Sequence, residues 1–385
     1  MNIQVVNDFN DEKIYSAFDN VIIEFALDQD PSSPVSFAEI LGLNVSITLS
    51  ANPEGVFYFN YKMFSKSYIT KDKLQENIDY DIEQNNALSF SKKDDFFIDG
   101  KLITIKIVLA DETEITKDFS LKYNRAIKDL DRFNDYFFID QESGAEYNHE
   151  MIYFFPGYPL DLGIFTKELQ QIGIQTEENR NSSNSVSIKT FDYVENYQFT
   201  RLVLSNGFSN LRSSNGTDIT ENISEIYVAD FAENDFVVKT HDVRRMPNCE
   251  GHFLKWLNRS GDFSYFLFSN RYEENIDANS LGNINNDYKN KEYSISPRLS
   301  KGKESTRELT LFKQSVDTQM RYHLSDLIDS PRVYYYTGKK NQEASAFDWI
   351  EVEITNSNFE MHRPKDDVFD FYFDAKFPDY KNQVI

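Results

Sequence analysis

Apolar and polar residues alternate with a period of two along much of this chain. That spacing puts one face of a strand on a core and the other toward solvent. Leu102 to Leu109 sets Ile103, Ile105, Ile107 and Leu109 on one face against Thr104 and Lys106 on the other. Ile115 to Tyr123 alternates again, Leu43 to Leu49 carries Leu43, Val45, Ile47 and Leu49 on one face, and Val21 to Leu27 is a short apolar run. Asp99-Gly100 is a turn signal ahead of the Leu102 run. The region from Val21 to Tyr123 therefore reads as an antiparallel β-sandwich, with polar Lys71 to Ala87 as a loop. A charged junction, Asn124 to Asp135, with Ala126, Ile127 and Leu130 at helix-like spacing, marks a domain boundary.

From Tyr136 the pattern is β-like again, and the Met151 to Phe155 run breaks at Pro156-Gly157. Thr176 to Ser185, Gly207 to Asn222 and Asn270 to Glu292 read as long polar loops, candidates for reaching a neighbour in an assembly. Between them lies the most apolar stretch of the chain. Phe253 to Leu257 and Phe263 to Phe268 are strand-like runs joined by Asn258-Arg259-Ser260-Gly261, with Gly261 suited to the positive φ that closes a hairpin. The second run, Phe-Ser-Tyr-Phe-Leu-Phe, is apolar on both faces and must be covered on both sides, by another layer of the fold or by another subunit. Phe253, Trp256, Phe263, Tyr265, Phe266, Phe268 and Trp349 are accordingly expected to form a core or interface cluster.

In the last third, Val316, Met320, Leu324, Leu327 and Ile328 recur as one stripe of an amphipathic helix over about 315–329, stopped by Ser330-Pro331. Strands are predicted at Glu308 to Phe312, Arg332 to Tyr336, Trp349 to Thr355 with Ile350, Val352 and Ile354 inward, and Val368 to Ala375 with Phe369, Phe371, Phe373 and Ala375 inward. Lys339 to Gln342 reads as a loop, and Asn358 to His362 extends or pairs with the strand before it. The fold class is mainly β: N-terminal antiparallel β-sandwich domain(s), then a β-rich C-terminal domain with one amphipathic helix. The expected domains are 1–128, 129–245 with the long loops, and 246–385.

Composition narrows the function. In 385 residues there are 33 Phe and 23 Tyr, more core-forming side chain than a disordered chain carries. A net charge of -23 disfavours binding nucleic acid by neutralising phosphates; it reads first as a well-solvated surface, the other reading being an acidic ring bore that would repel a duplex and let it slide. The single Cys249 excludes an intrachain disulfide framework and reads as a buried small hydrophobe rather than a nucleophile served by His252. The first residues lack the features of a secretory signal, and no apolar run approaches the ~18 residues that span a bilayer, so membrane insertion is not expected. His149, His241, His252, His323 and His362 show no zinc-ligand spacing, and there is no Gly-rich phosphate loop and no Gly-x-Ser-x-Gly. No catalytic residue, cofactor or metal is expected. The aromatic excess fills cores and interfaces or offers stacking platforms for sugars, the triplet Tyr334-Tyr335-Tyr336 presenting rings on both strand faces.

Two segments carry a resemblance. Gly251-His252-Phe253-Leu254-Lys255-Trp256-Leu257-Asn258, followed by Gly261 and the aromatic run ending in Leu267-Phe268, resembles a family of tail-associated proteins from phages and prophages of Bacteroidetes. The C-terminal grammar is similar too: Leu309-Thr310-Leu311, a short helix, Ser330 to Tyr334, then Trp349 and a hydrophobic strand. The family's usual Gly-Gly-Trp is replaced here by Gly261-Asp262-Phe263. The resemblance covers roughly residues 245 to 375. It implies a structural subunit of a virion, a homo-oligomeric ring component of the tail, baseplate or neck, assembled in the host bacterial cytoplasm. Its implied partners are copies of itself and other tail or neck proteins, with no reaction catalysed. The other reading is a carbohydrate- or receptor-binding module of the tail tip.

Overall fold

Strands built from alternating apolar and polar residues carry most of the chain, and the fold is mainly β. The structure, a computed structural model, describes residues 1–7, 9–11, 14–18, 20–42, 46–69, 98–125, 149–166, 170–176, 186–190, 198–203, 223–230, 236–247, 249–285, 298–338, 348–358, 369–378 and 381–384. Two compact units divide the chain. The first gathers Met1–Ile152, Asp161–Arg244 and Asn258–Phe263, and the second Tyr153–Leu160, Arg245–Leu257 and Ser264–Ile385.

The first unit opens with β1 (Ile3–Val5), β2 (Ile14–Ser16), β3 (Ile22–Leu27), β4 (Val35–Leu41), β5 (Ile47–Leu49), β6 (Phe57–Asn60), α1 (Lys62–Ile69), β7 (Ile98–Leu109) and β8 (Glu114–Asn124). They form one sheet ordered β1-β3-β6 and another ordered β2-β8-β7-β4-β5. Ile23, Phe25, Phe57 and Phe59 of the first sheet share a core with Ala38, Ile40, Ile103, Ile105, Ile107 and Phe119 of the second, the layered burial of a sandwich. Pairings are antiparallel except β2 with β8, which is parallel.

Two features of this region depart from the pattern. Asp99-Gly100 is no turn: both lie inside β7, where Gly100 faces Lys122 of β8, because pairing with β8 continues to the start of the strand. A helix, α1, appears where strands and loop are expected. Its Ser65 is fully buried and donates to the Ala17 carbonyl at 2.7 Å, beside Phe64, whose ring packs on Phe59 and Tyr61 of the core.

The chain continues with β9 (His149–Phe154), β10 (Asp161–Thr166), β11 (Gln170–Thr176), β12 (Val186–Thr190), β13 (Gln198–Val203), β14 (Ile223–Asp230) and β15 (Phe236–Arg245), all in the first unit except the last two residues of β9 and the last of β15. β10 and β13 pair alone, and the others form a sheet ordered β12-β11-β14-β15-β9. The predicted junction beyond Arg125, the Lys71 to Ala87 loop, most of Thr176 to Ser185 and all of Gly207 to Asn222 lie outside the described residues.

The second unit holds β16 (Gly251–Leu257), β17 (Phe263–Ser269), β18 (Tyr272–Ser280), β19 (Asn283–Asn285), β20 (Arg298–Ser300), β21 (Gly302–Val316), α2 (Thr318–Asp329), β22 (Val333–Tyr336), β23 (Trp349–Asn358), β24 (Phe369–Lys376) and β25 (Lys381–Val384). One sheet runs β17-β16-β22-β23-β24-β21-β18, with β25 also on β21. The inward residues of β24 are as expected: Phe371, Phe373 and Ala375 are buried and Tyr372 is exposed.

Two expectations need correcting here. Asn270 to Glu292 is not simply a loop, since β18 and β19 occupy most of its described part. The helix starts later than 315, because Ser315 at φ 58 and a register shift between Lys313 and Val316 keep Val316 on β21. Asp317 then caps α2, its carboxylate accepting from the Met320 N–H at 2.8 Å. Lys339 to Gln342 and Phe359 to His362 lie outside the described residues.

Candidate functional site

The apolar ribbon of the second unit owes its geometry to one glycine. A Cβ on Gly251 would stand 2.0 Å from the Phe268 carbonyl oxygen, so only glycine lets β16 start this close to β17. From there both strands are buried on both faces. On one face the Phe253 ring stacks on Tyr265 at 5.9 Å and meets Trp349 at 6.1 Å. Fully buried Lys255 shares that face, its Nζ 4.2 Å from the Trp349 ring centroid and 5.4 Å from that of Tyr334. The rings give this cation an attractive partner where water is excluded.

On the other face Trp256 and Phe266 meet His323 of α2, at 5.3 and 6.2 Å, and Phe268 packs on Phe373 at 4.9 Å. His323 Nε2 lies 3.0 Å from the Tyr265 carbonyl, which can only accept, so that nitrogen carries the proton.

The ribbon's outer flank is covered as well. β17 ends the sheet, and the segment Tyr153–Leu160 passes around it. Tyr153 touches Phe266 and His323 on the helix side, Phe155 touches both Phe266 and Phe253, and Tyr158 packs on Phe253 and Tyr336 on the far side. Phe253, Trp256, Tyr265, Phe266 and Phe268 are thus buried within one chain, and Trp349 is half-buried beside them. Tyr334 and Tyr336 are buried too, which leaves them unavailable as stacking platforms.

Phe263 lies in the first unit, beside a group of charges that sequence reading passes over. Asp161 starts β10, and Arg201 sits on β13 opposite Gly163. This diagonal places the guanidinium on the carboxylate: Nε donates to Oδ2 at 2.7 Å and Nη2 to Oδ1 at 3.0 Å, with neither side chain exposed. The guanidinium carbon lies 5.4 Å from the Phe263 ring centroid.

Asp262 joins them from the turn, where Gly261 has φ 82 and Asn258 Oδ1 accepts from the N–H groups of Ser260 and Asp262. Asp262 Oδ2 accepts the Gly163 N–H at 2.6 Å, while Oδ1 has no hydrogen-bond partner. Burial first, and then the Asp161 charge, push the Asp262 carboxyl up to about 7, against the Phe263 and Gly163 N–H groups and Arg201. The group therefore exchanges a proton near neutrality. A charged residue inside the apolar run Tyr158-Pro-Leu-Asp161-Leu-Gly163 was the available signal.

No family model matches the chain, and neither does any curated protein. Among solved structures, fibronectin(III)-like modules of Clostridium thermocellum CbhA align at a TM-score of 0.22 and 8% identity, covering 64% of this chain and 98% of theirs. A fragment of three titin Ig domains aligns at 0.18 and 6% identity, covering 96% and 84%. A bacterial ice-binding adhesin of 1.5 MDa aligns at 0.18 and 8%, covering 94% and 91%. Likenesses this shallow carry nothing about what the chain does.

The remaining singled-out residues are dispersed. Cys249 is exposed rather than buried, correcting the expectation of a small core hydrophobe. His252 Nδ1 lies 2.9 Å from the Tyr335 hydroxyl, and burial, then the Arg307 charge, lower its pKa. Among the described residues no cluster of His, Cys, Asp and Glu is suited to a metal ion, and no helix is long and apolar enough to cross a membrane.

Proposed function

We propose that this chain is a structural subunit of a bacteriophage virion, a homo-oligomeric ring component of the tail, baseplate or neck. The observation that carries the reading is the convergence of the two resemblance segments. Gly251 to Phe268 forms β16 and most of β17, Ser330 to Tyr334 leads into β22, and Trp349 begins β23, and these strands are consecutive neighbours in one sheet. Trp349 meets both Phe253 and Tyr265. Residues up to about a hundred positions apart thus pack in a single sheet. The net charge of -23 suits a ring through which nucleic acid passes without sticking.

Because the aromatic ribbon is enclosed by its own chain, ring contacts use other surfaces. Closed rings are built from head-to-tail contacts. Sedimentation of the purified full chain, paired with protein analysis of particles from the producing host, tests the reading. A closed oligomer of more than two copies and a stoichiometric band in the particles support it. A chain absent from particles overturns it.

A further inference from the structure

The sheet of the second unit has two edges, and among the described residues only one is covered. At the β17 edge the segment Tyr153–Leu160 wraps the strand, whereas at the other edge β18 pairs with β21 and, among the described residues, with nothing else. All nine residues from Tyr272 to Ser280 are exposed, and they keep an unbroken register with Leu311 through Lys303. A sheet edge of this length that meets no further strand among the described residues presents a row of N–H and C=O groups, an arrangement that proteins ordinarily blunt. Here the blunting residues are carboxylates, Glu273, Glu274 and Asp277, and they surround Ile276, which is 67% exposed.

We infer that β18 is a docking strand for β18 of a second copy, paired antiparallel about a two-fold axis through Ile276. The register selects this partner. In an edge-to-edge two-fold pair, residues directly opposite project to the same face, so allowed registers differ by slips of two residues. The register centred on Ile276 pairs the whole strand: Ile276 with Ile276, Asn275 with Asp277, Glu274 with Ala278, Glu273 with Asn279 and Tyr272 with Ser280. No carboxylate lies directly opposite another, the apolar residue faces itself, and an amide faces a carboxylate.

A slip of two residues one way sets Glu273 against Asp277, and the other way sets Asp277 against its own copy; like charges directly opposite are destabilising. Glu274 is in addition paired with Arg307 of its own β21, with Nε 2.6 Å from Oε1, which offsets part of its charge. The acidic residues exclude the neighbouring registers and leave the full-length one open. This contact is isologous, distinct from the head-to-tail contacts of a ring, and stands or falls independently of the virion reading.

Cysteine cross-linking in a Cys249→Ser background tests it, since Cys249 is the exposed native thiol. Cβ atoms directly opposite in the proposed pair lie about 4.5–5.5 Å apart, near disulfide reach, and diagonal ones about 7–8 Å. Ile276→Cys should therefore form a disulfide-linked dimer under mild oxidation several-fold faster than Asn275→Cys, whose opposite residue is Asp277. Separately, Ile276→Lys should halve the sedimentation mass reached at high protein concentration. Equal cross-linking rates at the two positions, or a mass that Ile276→Lys leaves unchanged, would overturn the inference.

Discussion

Arg201 and Asp161 form a two-pronged ion pair, at 2.7 and 3.0 Å, with both side chains fully out of solvent. Removing one partner of a buried pair is typically destabilising by about 3–5 kcal/mol. Asp161→Ala should therefore lower the urea midpoint sharply. The double variant Asp161→Leu/Arg201→Met should recover most of that loss, because it removes both charges of the pair together. A double variant as unstable as the single one would show that the pair's shape, not its charge balance, is what the fold depends on.

The pH dependence of stability should carry the signature of Asp262. Its folded-state pKa, about 7, lies above the roughly 3.9 of an unfolded aspartate, so between these values the folded chain holds a proton that the unfolded chain has lost. Stability from this group therefore falls as pH rises through that window, and the full penalty is present above about 7. Asp262→Asn keeps an acceptor for the Gly163 N–H and removes the charge. It should be more stable than the parent at pH 8, with the difference shrinking toward pH 5, as read by urea titrations at both values. A difference that is independent of pH would contradict the assignment.

Gly251→Ala should be far more damaging than its size suggests. The added methyl meets a backbone carbonyl, that of Phe268, and backbone cannot swing aside as a side chain can. Overpacking of this kind is destabilising by about 1–3 kcal/mol and occasionally more. Thermal unfolding should show it, while Gly282→Ala, a positive-φ site with nothing within 4 Å, should show backbone strain without a clash.

Trp256 separates core from interface. Fully buried against His323, it should make Trp256→Ala destabilising by about 3–5 kcal/mol. The milder Trp256→Phe should leave the sedimentation mass of the folded protein unchanged, because the indole is enclosed by its own chain. A mass change in the folded Phe variant would place Trp256 at a subunit contact.

Some of this architecture is legible in the sequence and some is not, for physical reasons. Period two shows wherever one strand face is buried, as in Ile103, Ile105 and Ile107, all fully buried on β7. Doubly covered β16 and β17 show as near-continuous apolar runs. β18 gives only a faint signal: Tyr272, Ile276 and Ala278 share one face against Glu273, Asn275, Asp277 and Asn279, but Glu274 interrupts that face and the segment, exposed throughout, reads as a polar loop. α1 is short, and its core-facing side mixes Phe64 with the polar Ser65, too little for a readable stripe. The Asp161–Arg201 pair spans 40 positions and exists only through the register of β10 on β13, which no local pattern encodes. The Asp262 departure from the resembled motif is visible in the sequence, but its partner Gly163 lies 99 positions away.

The most direct test of the proposed role is to image particles from the producing host with this subunit carrying a label on an exposed site such as Cys249. The expected result is label in a fixed ring about the tail axis, at the tail, baseplate or neck. Unlabelled particles beside abundant free chain would contradict it.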